Sequence, residues 1–284
     1  MAINLASKYS SKVVDKFYKD SVILGKTSRE YEWDGVKSIN VYTITTVAPG
    51  DYTRSGTSRY GTPTEVQDTI QTMSIAKDRS VSLTVDKGNN KQQMMIKNAG
   101  KVMNAEMREQ FIPEFDKYCL KTWAEYKNAS SETVQTKIDA SVTKDNIVSL
   151  IAAGRTALVN KKVPLTNTYC YIGATNFGLL AQAPEFLNLD KLGPGAVENG
   201  VVGKCKGFAI VEVPDEYMPT DVSFMIVKKE CVLAPTQIKD MKIHQDAPGI
   251  SGALLEVRWL YDAFVLDTKK DGIYVSRTKA LSGD

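Results

Sequence analysis

Histidine is almost missing from this 284-residue chain, with His244 the single example. One imidazole cannot supply the common acid, base or ligand sets of enzymes, so His244 reads as an ordinary surface or loop residue. Cysteine is also scarce. Cys119, Cys170, Cys205 and Cys231 show neither CxxC nor paired spacing, which argues against a zinc site and against a disulfide framework; they are expected to be buried, reduced thiols. No apolar run approaches the length needed to span a bilayer, and Met1 to Asn40 lacks the basic, apolar and small-residue order of a signal peptide, so a cytosolic chain with no membrane partner is expected. The phosphate-loop, dinucleotide, nucleophile-elbow and zinc-protease motifs GxxxxGK[ST], GxGxxG, GxSxG and HExxH do not occur. Gly200, Gly203 and Gly207 precede a strand instead of joining a strand to a helix, so they suit a turn better than a phosphate cradle. Glu212, Asp215 and Glu216 cluster near a strand end without a paired base and read as solvated loop charges. The expectation is a chain with no catalytic residues, no metal and no cofactor, hence not an enzyme. A net charge of +3 is too small to mark a dedicated nucleic-acid binder.

What the chain does have is 43% hydrophobic content, enough for a packed core in one large or two moderate domains. Its longest periodic stretch runs from about Asn90 to Lys127. There Ile96, Ala99, Met103, Met107, Phe111, Phe115, Cys119 and Trp123 recur every three or four residues, which predicts a spine helix roughly 55 Å long. Asn89 and Asn90 are its candidate caps, Pro113 predicts a kink, and Gly100 a second soft point.

Along the chain, Leu5, Tyr9, Val13 and Phe17 form a short amphipathic arm flanked by Lys8, Lys12, Lys16 and Lys19. Trp33-Asp34-Gly35 reads as a turn into a strand over 37–46, in which Ile39 and Val41 alternate with polar neighbours. Val47 to Glu65 holds almost no aliphatic residues, and a second strand follows over 66–76. Two long strands around a polar tip make a protruding hairpin that cannot supply its own core. Tyr52, Arg54, Arg59 and Tyr60 at the tip favour a contact surface over an unstructured loop, because Tyr and Arg are enriched at interfaces. Further strands are predicted at 81–85, 169–172, 208–213, 222–227 and, as one long element, 253–266. Lys269 to Gly272 would turn the last of these back into Ile273-Tyr274-Val275. Helices are predicted over 144–160 and 176–181, with 129–143 polar and 187–200 a Gly- and Pro-rich loop.

The order of these elements, with Tyr31-Glu32-Trp33-Asp34-Gly35 before the hairpin and the run from Asn199 to Val211 with Pro214 after the spine, resembles the major capsid proteins of tailed bacteriophages, the Hong Kong 97-type fold. The resemblance covers nearly the whole chain. It implies an α+β subunit with an N-terminal arm (1–36), an extended hairpin loop and flanking strands (37–86), a peripheral domain with the spine helix (87–165), an axial domain (166–245), and return strands of the peripheral domain with the C-terminus (246–284). It further implies self-association into pentamers and hexamers that close an icosahedral shell around double-stranded DNA, in the virion capsid after assembly in the host cytoplasm. Trp33, Tyr52, Arg54, Arg59 and Tyr60 become candidate subunit-interface residues, and Gly200, Gly203 and Gly207 the turn of the axial domain. The short arm ahead of the hairpin leaves no room for a removable scaffolding segment, so a separate scaffolding protein and a portal protein are expected partners. An encapsulin-type nanocompartment shell is the alternative of similar fold.

Residues 1–29 hold six basic against two acidic side chains, a local +4, so the rest of the chain sums to about −1. Lys8, Lys12, Lys16 and Lys19 are therefore either a DNA-facing arm, acting through salt-sensitive phosphate contacts, or the solvated side of an amphipathic helix. Residues 47–76 contain no lysine, which argues against the lysine-to-asparagine crosslinks used by some members of the family. Shells of this protein should accordingly dissolve to a monomer band in hot detergent, and a ladder of covalent oligomers on the gel would refute that expectation.

Overall fold

The computed structural model describes residues 20–31, 33, 37–92, 98–139, 141–183, 201–245 and 247–279. The basic arm of residues 1–19, Gly200 and the loop ahead of it lie outside the described residues, as do Glu32, Asp34 and Gly35. Strands β1 (Ser38–Ile44) and β2 (Asp68–Ser74) pair antiparallel from Ser38↔Ser74 to Ile44↔Asp68 and form a ribbon that joins no other sheet. Two residues later the chain enters β3 (Lys77–Asp86), and the short helix α1 (Lys87–Gln92) follows, its first turn closed by Asp86 Oδ1 accepting from Asn89 N.

Periodicity alone suggests one helix over 90–127; the structure has a shorter one. Helix α2 (Ala99–Glu106), a wide π turn (Met107–Phe111) and α3 (Ile112–Ala124) run on without a break, about 39 Å at 1.5 Å per residue. The cap is Asn98, whose Oδ1 accepts from Gly100 N and Lys101 N, so Gly100 sits in the first turn and is no mid-helix weak point. Pro113 lies in the first turn of α3, where a missing N–H is tolerated, and the π turn ahead of it carries the bond from Ile112 N to Met107 O. The expected irregularity at the proline takes the form of that widened turn.

After α3 come β4 (Gln135–Ile138), α4 (Ile147–Asn160), β5 (Thr168–Gly173), α5 (Ala174–Gln182), β6 (Val201–Cys205), β7 (Phe208–Val213), β8 (Val222–Lys228) and β9 (Val232–Leu233). The chain finishes with β10 (Thr236–His244), β11 (Gly252–Tyr261), β12 (Phe264–Val265) and β13 (Ile273–Arg277). Two larger sheets result. One is antiparallel, in the order β10-β11-β3; the other is mixed, in the order β4-β13-β8-β5-β7-β6. The long strand expected over 253–266 breaks after Tyr261, and its end pairs as β12 with β9. The expected return into 273–275 is not a hairpin either: β13 lies between β8 and β4, in the sheet formed mainly by residues 168–228. Its five residues are all buried, which a central strand covered on both faces requires. Strands β4 and β10 have weak apolar patterns and do not stand out in the sequence.

The spine lies where the two sheets meet. Leu255, Val257, Trp259 and Tyr261 are buried on one face of β11, while Glu256 and Arg258 between them are exposed. Phe115 stacks on Trp259 at 5.1 Å between centroids and meets Tyr261 edge-on at 5.2 Å. Further round α3, Cys119, Leu120, Trp123 and Ala124 join the same apolar cluster as Tyr171, Val211, Met225 and Val275 of the mixed sheet. The opposite face of that sheet, with Cys170, Ile172, Ile210, Phe224 and Ile226, packs under α4 and α5. All four cysteines are free and buried, as their spacing suggested.

One buried carboxylate of this core has a defined task. Asp116 is fully buried on α3 and accepts from Val22 N at 2.9 Å and Ser21 Oγ at 2.7 Å, which fixes the chain where it leaves the N-terminal segment. Asp215 is exposed, as expected of a loop charge, and in addition accepts from Thr175 N and Thr175 Oγ at the start of α5, satisfying donors that the helix cannot. His244 ends β10, exposed, 3.1 Å from Glu256.

Gly252 is the position where backbone freedom matters most. Its φ is +144°, and a Cβ there would lie 2.1 Å from Val85 O across the β11–β3 ladder. Gly252→Ala should therefore lower the unfolding free energy by about 2 kcal/mol or more, read by urea denaturation. A change below about 0.5 kcal/mol, the range of ordinary surface substitutions, would contradict this account of the ladder.

Candidate functional site: an exposed arm and its seat

The ribbon continues past its ladder through Thr45 N to Gln67 O, then opens into an ordered tip. Thr53 N donates to Arg59 O at 3.0 Å, Gly61 N to Ser58 O at 3.1 Å, and Arg59 Nε to Gly56 O at 3.2 Å. Tyr52 and Tyr60 meet edge-on at 5.1 Å. Of the residues read as an interface from sequence, the structure brings Tyr52, Arg59 and Tyr60 together and places Arg54 on the same exposed tip, with Tyr60 92% exposed.

Trp33 is elsewhere, and the expectation that it faces a neighbour is corrected. It is 4% exposed, stacked on Phe264 at 5.5 Å, and clustered with Met73, Ile75, Leu233 and Leu266. Its indole fills the space under the base of the ribbon, with Nε1 directed to Met73 O at 3.5 Å and its carbonyl accepting from Gln237 Nε2 at 2.9 Å. The glycine reading is corrected too. Gly207 shares the β6–β7 turn with Lys206, at φ of +95° and +49°, whereas Gly203 lies inside β6 at a break in register.

Sequence reasoning missed the most telling feature of the arm. Because β1 and β2 are a two-stranded ribbon, only one face can rest on the body. Ile39, Val41 and Met73 do so. On the other face Tyr42 stands opposite Ile70 in register, with Ile44 two residues on. Tyr42, Ile44, Ile70 and the flanking Val47 and Val66 are 56–75% exposed. Of the twelve large apolar side chains left exposed among the described residues, seven lie between 42 and 70, which concentrates the exposed apolar surface of the described residues on the arm. The signal was present as apolar residues on both alternating faces of 39–44.

The seat of the arm is polar as well as apolar. Gln71 donates from Nε2 to Val265 O at 2.8 Å and accepts at Oε1 from Asp267 N at 2.9 Å, the pair of bonds that a parallel strand would make to positions two apart. Tyr126 of the segment after α3 donates to Asp267 and lies 3.3 Å from Gln71 Nε2. Asp262 accepts from Ala76 N at 2.8 Å, Tyr118 Oη at 2.7 Å and Ala263 N at 2.8 Å. Burial, and then the carboxylate each one faces, raises both tyrosine hydroxyls well above their ordinary range, so they remain donors. The outer face of the antiparallel sheet carries a groove lined by Ser80, Ser82, Asp240, Lys242, Glu256 and Arg258. Its charges answer one another, with Lys242 2.8 Å from Asp240 and Arg258 2.6 Å from Asp78.

Neither protein-family models nor curated protein sequences give a match to this chain. Solved structures do, along nearly its whole length. A structure from Mycobacterium phage Che8 superposes with a TM-score of 0.70 at 18% identity over 96% of this chain and 97% of that one. The capsid structure of cyanophage P-SCSP1u gives 0.71 at 15% identity over 96% and 92%. The mature capsid of bacteriophage PhiM1 gives 0.70 at 14% identity over 98% and 93%. At these identities the likeness is one of fold, and the α+β fold of this chain is the fold of phage capsid structures.

Proposed function

We propose that this chain is the major capsid protein of a tailed bacteriophage, of the Hong Kong 97 type, whose subunits associate as pentamers and hexamers and close an icosahedral shell around double-stranded DNA. The observation that carries the reading is the arm: a ribbon with a seated face and an unseated apolar face, on a fold shared end to end with phage capsids. Burying one such side chain fully contributes roughly 1.5–3 kcal/mol, and a solitary subunit forgoes that for the whole outer face. A neighbouring copy that covers it recovers the loss, and a head-to-tail contact of this kind generates rings.

On this reading the spine and the antiparallel sheet form the peripheral part of the subunit and the mixed sheet the axial part, with Gly207 at its hairpin turn. Tyr52, Arg54, Arg59 and Tyr60 extend the contact at the tip, with the aromatic and guanidinium chemistry common at interface cores. A separate scaffolding protein, a portal and packaged DNA are the partners that such a shell requires, and Lys8, Lys12, Lys16 and Lys19 are suited to contact phosphate.

Replacing the cross-strand pair by Tyr42→Ser with Ile70→Ser removes about 3–6 kcal/mol of apolar contact per arm in the fully buried limit, while touching nothing in the subunit core. Compared as unassembled subunits, variant and wild type should unfold at the same temperature, and the variant should sediment as small species under conditions where the wild type forms particles. Normal particles from the double variant would overturn the assignment of this face.

A further inference from the structure

We infer that the base of the arm is a latch, in which Gln71 and Asp262 hold the ribbon at one angle to the spine and release it as a single unit. Among the described residues no backbone ladder joins β1 or β2 to either larger sheet, and what attaches the ribbon there is its chain crossings, the apolar seat and side-chain bonds. Those bonds are few and converge. Gln71 on β2 takes the place of a strand against Val265 and Asp267, and Tyr126 closes on the same two groups, Asp267 and Gln71. Five residues further on, Ala76 N is held by Asp262, whose other oxygen is held by Tyr118.

Tyr118 lies on α3 and Tyr126 two residues past its end, so the last turns of the spine and the segment that follows place one hydroxyl on each carboxylate, Tyr118 on Asp262 and Tyr126 on Asp267. Asp262 and Asp267 flank the short strand β12, whose pairing with β9 ties them to the body. The arm is thereby read by one helix and one bend of the chain at once. Losing Gln71 frees Asp267 N and Val265 O to water, and the ribbon can then pivot about 75–76, the two residues between β2 and β3, which strains the Asp262 bond to Ala76. The same steps run in the other direction, so the two anchors are coupled and not merely adjacent. The inference concerns the subunit itself and holds whatever the arm contacts.

Hydrogen–deuterium exchange on the full-length chain, resolved to single amides, tests the coupling. In Gln71→Ala the Asp267 amide loses its acceptor and must exchange faster; the latch further requires the Ala76 amide to accelerate by about tenfold or more, while β8 amides stay within about twofold of wild type. Asp262→Asn should accelerate Asp267 by a similar factor. Acceleration confined to Asp267 would show independent anchors, and acceleration spread equally to β8 would show a general loss of stability; either result overturns the latch. Should Gln71→Ala fail to fold, Tyr126→Phe decides by the same readout, since it removes one oxygen and keeps the ring.

Discussion

The packing of helix α3 between two sheets is the constraint on which the rest of the subunit depends. At 100° per residue, Phe111, Phe115 and Tyr118 fall on one side, and Leu120, Trp123 and Ala124 lie about 80–180° further round. A helix with so wide an apolar arc cannot be satisfied by one sheet. The aromatic side meets Trp259 and Tyr261 of β11, and the remainder joins Tyr171, Met225 and Val275 of the mixed sheet. Truncating a fully buried aromatic such as Trp123 costs about 3–5 kcal/mol, a large part of the stability of an ordinary domain. Asp116 and the carbonyl of Ala124 add polar fixtures to the same helix, one holding Ser21 and Val22, the other accepting from Arg277 at 2.9 Å. Both ends of the described chain are therefore tied to the spine.

A body held this firmly leaves the arm as its exception. The ribbon spends one face on the seat around Trp33, and among the described residues no second layer covers the other. Two-stranded ribbons are marginal in water, so the arm owes its order to the Trp33 cluster at its base and to the small network of turns at its tip. Its outer apolar face then becomes surface. On the proposed reading, stability and association are divided between parts of one chain, with the core in the sheets and spine and the exposed apolar face on the arm.

The alternation in β11, the spacing in α3 and the polar tip were legible in the sequence because each is a local pattern with a physical period. The limits of the spine were less so, since Asn89, Asn90 and Asn98 are equally good caps by residue type, and a π turn has no periodic signature of its own. β13 was recognisable as a strand but not placeable, because its partners lie far away in sequence and β4 pairs with it through the weak pattern Gln135-Thr136-Lys137-Ile138. Trp33 shows a different limit. A large aromatic beside a turn suits an interface and a core equally by residue type, and only the chain's return past Phe264 makes it core. Gln71 was invisible for a related reason: a side-chain amide standing in for a strand joins residues 194 and 196 positions apart.

Cryo-electron microscopy of particles assembled from the full-length chain bears most directly on the claim that the unseated face of the arm is what joins subunits. The account predicts closed shells of fivefold and sixfold clusters in which Tyr42, Ile44, Val66 and Ile70 are covered by a neighbouring copy. Shells in which that face stays open to solvent, or a purified chain that forms only solitary subunits, would contradict it.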